Sequence, residues 1–124
     1  MWLISIHHGL FNTCLIFSSL IGVYGLWRFW RHSGVGGNLW GMLVIAEGLY
    51  VVQDIVGAAM LLQGLSPARA WIHFLYGVVM LITLPGAYAF TQGRDGRREA
   101  LMYAVIGLFL AGVALRAMST GQLP

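Results

Sequence analysis

Six ionisable side chains lie inside stretches of this sequence that are otherwise apolar. They are His7, His8, Glu47, Asp54, His73 and Arg116. A charged group is costly in hydrocarbon, so residues of this kind usually face a partner, a ligand or a cavity. Imidazole nitrogens ligate metal ions, and carboxyl groups accept and release protons. The positions of these residues therefore predict a polar site within an apolar protein.

The composition excludes several classes of protein. Hydrophobic residues make up 59% of the 124 residues and charged residues only 9%, whereas a soluble domain of this length carries far more polar surface. The formal charge of +3 is too small and too scattered to indicate nucleic acid as a partner. The single cysteine, Cys14, cannot form an internal disulfide. We therefore expect an integral membrane protein embedded in a lipid bilayer.

Four apolar segments are separated by three short connections. The segments cover about residues 2–30, 39–62, 68–90 and 100–118. Each is long enough for a transmembrane helix, which needs about 20 residues, and short connections join antiparallel neighbours. The predicted fold is all-α: a single domain, residues 1–124, that forms an integral membrane up-down-up-down four-helix bundle.

The distribution of arginine predicts the orientation of this bundle. Five of the seven basic residues flank the first and third connections: Arg28, Arg31, Arg94, Arg97 and Arg98. Only Arg69 and Arg116 lie on the other side. The positive-inside rule places connections 31–38 and 91–99 in the cytoplasm. Both termini then lie outside, across a membrane that we expect to be the bacterial inner membrane.

His8 and His73 are predicted to lie at the same depth. Each sits five or six residues into its helix, or roughly 7–10 Å below the outer helix start at a rise of 1.5 Å per residue. Helices one and three run in the same direction and are commonly diagonal partners in such a bundle. Depth-matched imidazoles on facing helices can supply both axial ligands of a haem. His7 points roughly 100° away from His8 around the helix, so we assign it to the membrane interface.

Three further residues complete the predicted cofactor site. Gly77 lies on the same stripe of helix three as His73, where the lack of a side chain lets a flat macrocycle approach the backbone. Arg69 and Arg116, at the outer ends of their segments, are positioned to meet haem propionates. The predicted site therefore has two ligands, a small wall and two cationic anchors.

Helix two carries a second candidate site. Glu47, Tyr50 and Asp54 share one inward face at helical spacing. A carboxyl group there could handle the proton that accompanies quinone chemistry, so we treat these residues as a candidate quinone or proton site. Asp54 with the two depth-matched histidines could instead hold zinc, although the sequence lacks the His-x-x-x-His doublet that usually marks such a site.

The combination resembles small bacterial membrane cytochromes b and the membrane-anchor subunits of respiratory complexes. The shared features are the four-helix bundle, His8 and His73 near one membrane face, and nearby arginine. The resemblance implies one bound haem b and electron transfer to or from quinone. It also implies His8 and His73 as the axial metal ligands and Arg116 as a propionate partner.

Two other functions fit the same sequence. One is a non-catalytic accessory subunit of a larger respiratory or photosynthetic complex, docked through Gly107-x-x-x-Ala111 of helix four to another subunit or to a second copy. The other is a small transporter or channel lined by Glu47 and Asp54, which would require oligomerisation. We expect an electron-transfer or accessory subunit rather than a stand-alone enzyme.

Overall fold

The computed structural model describes residues 2–64 and 70–120, which form four α-helices and no strand. The helices are α1 (Trp2–Trp30), α2 (Gly36–Leu62), α3 (Ala70–Thr91) and α4 (Arg97–Thr120). Each is long and apolar enough to cross a membrane. The prediction of an all-α chain with four membrane-length helices is confirmed.

The helix bounds differ from the predicted ones mainly at the starts. Helix α2 begins at Gly36 rather than at residue 39, and α4 begins at Arg97 rather than at residue 100. The predicted start of the third helix at residue 68 lies outside the described residues. The connections from α1 to α2 and from α3 to α4 are consequently shorter than predicted.

Helices α1 and α3 end with the same backbone turn. His32, two residues after the end of α1, and Gln92, directly after α3, have φ angles of +57° and +55°. In both turns the next residue donates its N–H to the carbonyl five positions earlier, at 2.9 Å after α1 and 3.2 Å after α3. These are the bonds of a Schellman motif, which satisfies the last helical carbonyls and turns the chain sharply.

Helix α1 packs closely against α4 and α2, whereas α3 packs on α4 and more loosely on α2. Over the described residues, α1 and α3 make no close backbone contact, and neither do α2 and α4. The two pairs are therefore diagonal. Any site that joins α1 to α3 must be built from side chains that reach across the bundle.

Glycine allows the close approach of α1 and α4. A Cβ atom at Gly107 would lie 2.9 Å from the backbone nitrogen of Gly22 and 3.0 Å from the carbonyl oxygen of Ser18. Ala111, one turn further along α4, is also buried. The Gly107-x-x-x-Ala111 stripe thus packs inside the bundle against α1. The prediction that it docks another subunit is wrong, because this face is already covered.

Many large apolar side chains lie on the outside of the bundle. Leu62, Trp30 and Phe90 are 88%, 82% and 80% exposed. Exposed apolar surface on this scale is unfavourable in water and marks contact with a membrane or another apolar partner. Together with the length of the helices, it indicates a membrane protein in contact with a lipid bilayer.

Candidate functional site

His7 of α1 and His73 of α3 face each other across the bundle. Their ring centroids are 6.3 Å apart and their planes are inclined by 65°. Both side chains are partly buried. The pair spans the diagonal between two helices that make no close backbone contact in the part of the chain that the structure describes. The two imidazoles therefore form the centre of a shared site.

His7, rather than the predicted His8, is the histidine of α1 that contacts His73, and His8 is exposed, roughly 100° away around the helix. The inward face of α1 is set by small and apolar residues, among them Leu3, Cys14 and Ser18. These positions share a helical stripe with His7. Asn12, which lies one turn from His8 on the same helical stripe, is exposed. The stripe of α1 that carries the polar residues therefore differs from the stripe that packs inward.

His73 is oriented by the backbone of α4. Its Nδ1 atom lies 2.9 Å from the carbonyl oxygen of Ala117. Since a carbonyl oxygen only accepts hydrogen bonds, Nδ1 must carry the proton, which leaves the lone pair of the neutral ring on Nε2. A backbone carbonyl that fixes the tautomer and the direction of the ring is the usual companion of a metal-ligating histidine.

His7 is held by Gln53 of α2. The side-chain Nε2 of Gln53 donates to the backbone carbonyl of His7 at 3.1 Å. Among the described residues, neither Nδ1 of His7 nor Oε1 of Gln53 has a hydrogen-bond partner, although both atoms are buried. Buried polar atoms are nearly always satisfied. Two such atoms, on residues that are joined by a hydrogen bond, therefore point to a bound group or to water.

A partly open cavity of about 50 Å³ lies between the two histidines. Its polar wall is formed by His7, Cys14, Gln53, Asp54 and His73. Gly77 completes the wall, since a Cβ atom there would stand 3.1 Å from Oδ1 of Asp54. The remaining lining is apolar and includes residues of α4, so all four helices contribute to the cavity. We call this region the histidine end of the bundle.

The predicted face of α2 is divided between two environments. Asp54 lines the histidine cavity, whereas Tyr50 is fully buried and its hydroxyl lies 2.5 Å from Oγ of Ser18. Glu47 has a buried Oε1 atom with no hydrogen-bond partner in the described ranges. Tyr50 and Glu47 do not line the cavity. Of the three predicted residues on this face, only Asp54 therefore lies at the histidine site.

Of the two predicted cationic anchors, Arg116 lies within the described residues. Arg116 is exposed and directly precedes Ala117, whose carbonyl holds His73, so it lies at the histidine end. Arg69 lies outside the described residues. Of the residues predicted for the cofactor site, the structure places His73, Gly77 and Arg116 at the histidine end, together with Asp54 of the predicted quinone or proton site.

Sequence reasoning missed three contributors to this site. It assigned His7 to the interface, and it did not single out Gln53, although a glutamine next to Asp54 in an apolar helix was a usable signal. The carbonyl of Ala117 is a backbone atom, so the residue type carried no signal at all.

No protein-family model matches this sequence, and comparisons with curated proteins and with solved structures find no similar protein. The chemistry of the histidine end is therefore argued from its own geometry.

Proposed function

We propose that this protein spans the membrane as an up-down-up-down bundle and binds one b-type haem between α1 and α3, as an electron-transfer subunit. His7 and His73 are the axial ligands in this proposal. The observation that carries it is the 6.3 Å separation of their ring centroids. His7 replaces His8 in the ligand pair, because His7 is the histidine of α1 that faces His73.

The separation fits two imidazoles that share one metal. A metal bound by one nitrogen of each ring would lie about 2 Å from each nitrogen, and each nitrogen lies about 1 Å from its ring centre, so the two ring centres would be at most roughly 6 Å apart. The observed 6.3 Å is close to this value.

The number of ligands favours haem over a metal ion held by side chains alone. Structural and catalytic zinc sites use three or four protein ligands. Within the described residues, no group of three or more His, Cys, Asp or Glu side chains is placed to hold a metal ion. Haem iron receives four nitrogens from its macrocycle and needs only two from the protein. A pair of histidines is therefore sufficient for haem and insufficient for zinc.

The space between the pair limits how haem could bind. The partly open cavity of about 50 Å³ admits only a small group, whereas cofactor sites commonly measure about 300–1,000 Å³. A macrocycle held by these two histidines would therefore require α1 and α3 to move apart at this end of the bundle. A Cβ atom at Gly57 would lie 3.6 Å from Cε1 of His7, so α2 lies directly beside this ring.

The residues of the chain have distinct tasks in this proposal. The carbonyl of Ala117 directs the ring of His73, and Gln53 holds the backbone of α1 at His7. The apolar lining excludes water and thereby tunes the reduction potential. Arg116 is the candidate partner of a propionate. Haem, when bound, supplies one-electron chemistry, and the protein sets its potential and orientation.

Two contacts between α1 and α2 support the proposed up-down arrangement. His7 lies against Gly57, and Ser18 bonds to Tyr50, so the start of α1 lies beside the end of α2. The arginine-rich connections gather at the opposite end of the bundle from the histidines. We propose that this opposite end faces the cytoplasm of a bacterium and that both termini lie outside.

The visible spectrum of the purified protein tests this function. After expression with ample haem, we expect a Soret band and, on reduction, the α and β bands of a haem with two imidazole ligands. A colourless preparation of folded protein would overturn the proposal. Binding of zinc in stoichiometric amount without haem would overturn it in favour of a different metal site.

A further inference from the structure

The two arginine-rich connections form one unit, which we call the arginine end, residues 28–35 and 92–98. The N–H of Val35 donates to the carbonyl oxygen of Asp95 at 2.9 Å, which ties one connection to the other. Gly34 also lies against this carbonyl, so closely that a side chain there would collide with it. The arginines of both connections are consequently held at one place rather than spread over two loops.

Two arginines are part of the framework of this unit. Nε of Arg28 donates to the carbonyl of Gly34 at 2.9 Å, and Nε of Arg97 donates to the carbonyl of Phe29 at 2.8 Å. The guanidinium of Arg97 also lies 4.0 Å from the centre of the Phe29 ring. A guanidinium has five N–H donors. Each of these two side chains therefore keeps donors for a further acceptor.

The arginine end carries an excess of positive charge. Its five arginines, counted with Asp95 and with Glu99 directly after it, give a net charge of +3. The one ion pair in the described residues joins Arg94 to Glu99 at 3.8 Å, and Glu99 also accepts the N–H of Gly96 at 3.0 Å. The side-chain hydrogen bonds and the ion pair of this unit involve Arg28, Arg94 and Arg97. The guanidinium groups of Arg31 and Arg98 have no oxygen partner among the described residues. Both side chains are exposed.

Exposed aromatic side chains lie at the same end of the bundle as these arginines. Trp30 and Phe90 are 82% and 80% exposed, and the guanidinium of Arg31 lies 5.3 Å from the centre of the Trp27 ring. Tryptophan is enriched where a membrane meets water, at the level of the lipid headgroups. The aromatic residues therefore place Arg31 at the depth of lipid phosphates, provided that the bundle spans the membrane as proposed above.

We propose that the arginine end binds the phosphate group of an anionic phospholipid, with Arg31 and Arg98 as the principal contacts. Guanidinium groups pair with phosphate oxygens through short, charge-assisted hydrogen bonds. The exposed ring of Trp30, next to Arg31 in the sequence, supplies an apolar surface for an acyl chain at the same end of the bundle. This combination matches a lipid better than free phosphate, which has no apolar part. The inference depends on the proposed membrane placement and is independent of haem.

Lipid retention by the full-length protein tests the inference. The delipidated protein is titrated in detergent with phosphatidylglycerol or phosphatidylcholine, and bound lipid is counted by native mass spectrometry. We expect wild-type protein to prefer phosphatidylglycerol. Arg31→Gln and Arg98→Gln should each weaken this preference about fivefold, in line with the electrostatic contribution of one basic residue at an anionic membrane surface. Arg31→Lys and Arg98→Lys should retain most of it.

Arg116→Gln provides the matched control, because it removes the same charge from the opposite end of the bundle. An equal loss in Arg116→Gln would overturn the inference and show that net charge alone sets the preference. Displacement of the lipid by inorganic phosphate at equal concentration would also overturn it, in favour of a phosphate site. Equal binding of both lipids by wild-type protein would exclude a headgroup site altogether. The haem spectrum is recorded on the same samples, so loss of haem and loss of lipid preference are distinguished.

Discussion

The side-chain amide of Gln53 donates a hydrogen bond to the backbone carbonyl of His7, 46 positions away in the sequence, at 3.1 Å. This bond ties α2 to α1 at the residue that faces His73. It leaves Oε1 of Gln53 buried without a partner among the described residues. Gln53 is therefore a positioning residue for His7, and its contribution can be measured.

Gln53→Leu should lower the affinity for haem without removing it, because both proposed ligands remain and only the support of His7 is lost. Loss of one hydrogen bond typically costs about 0.5–1.5 kcal/mol, or roughly a two- to tenfold change in affinity. Haem titration of the apoprotein measures this change. Gln63→Leu, an exposed position after the end of α2, is the matched control. An unchanged haem affinity in Gln53→Leu would remove Gln53 from the site.

Gly107→Leu should destabilise the bundle, because a side chain at this position collides with the backbone of α1. Overpacking of this kind typically costs about 1–3 kcal/mol or more. Thermal unfolding in detergent should show a clearly lower Tm. Gly112→Leu, five residues along the same helix, is the control, since a Cβ there meets no atom within 4 Å. Equal Tm values for the two variants would contradict the packing described for α1 and α4.

Tyr50→Phe should destabilise the bundle because it leaves the buried hydroxyl of Ser18 without its partner at 2.5 Å. An unsatisfied buried hydroxyl costs about 1–3 kcal/mol. Adding Ser18→Ala to Tyr50→Phe should recover part of the loss, since both polar groups are then gone. Chemical unfolding of the two single variants and the double variant measures the coupling. Strictly additive losses would show that the hydroxyl pair contributes no interaction energy.

The fold could be predicted well from the sequence because four long apolar segments leave few alternatives. The first residue of each helix could not be predicted, since it depends on local hydrogen bonds of the backbone. Helix α4 begins early because Glu99 accepts the N–H of Gly96, a capping contact within the charged stretch that the sequence reading assigned to a connection.

The candidate site was predicted only in part. His7 and His8 are neighbours and lie at nearly the same depth, so depth alone could not separate them. The choice between them depended on which stripe of α1 faces inward. Asn12, on the same stripe as His8, is exposed, whereas the buried residues Leu3, Cys14 and Ser18 lie on the stripe that contains His7. Helix interfaces in membranes are enriched in small residues, which let backbones approach closely.

The most direct test of the account is the absorption spectrum of three single variants expressed with ample haem. His7→Ala and His73→Ala each remove one proposed axial ligand, and His8→Ala is the matched control because this side chain is exposed. We predict that the wild-type protein and His8→Ala show the reduced bands of a haem with two imidazole ligands, and that His7→Ala and His73→Ala lose them. Loss of these bands in His8→Ala with retention in His7→Ala would contradict the proposed ligand pair. The absence of bound haem in all four proteins would contradict the proposed function.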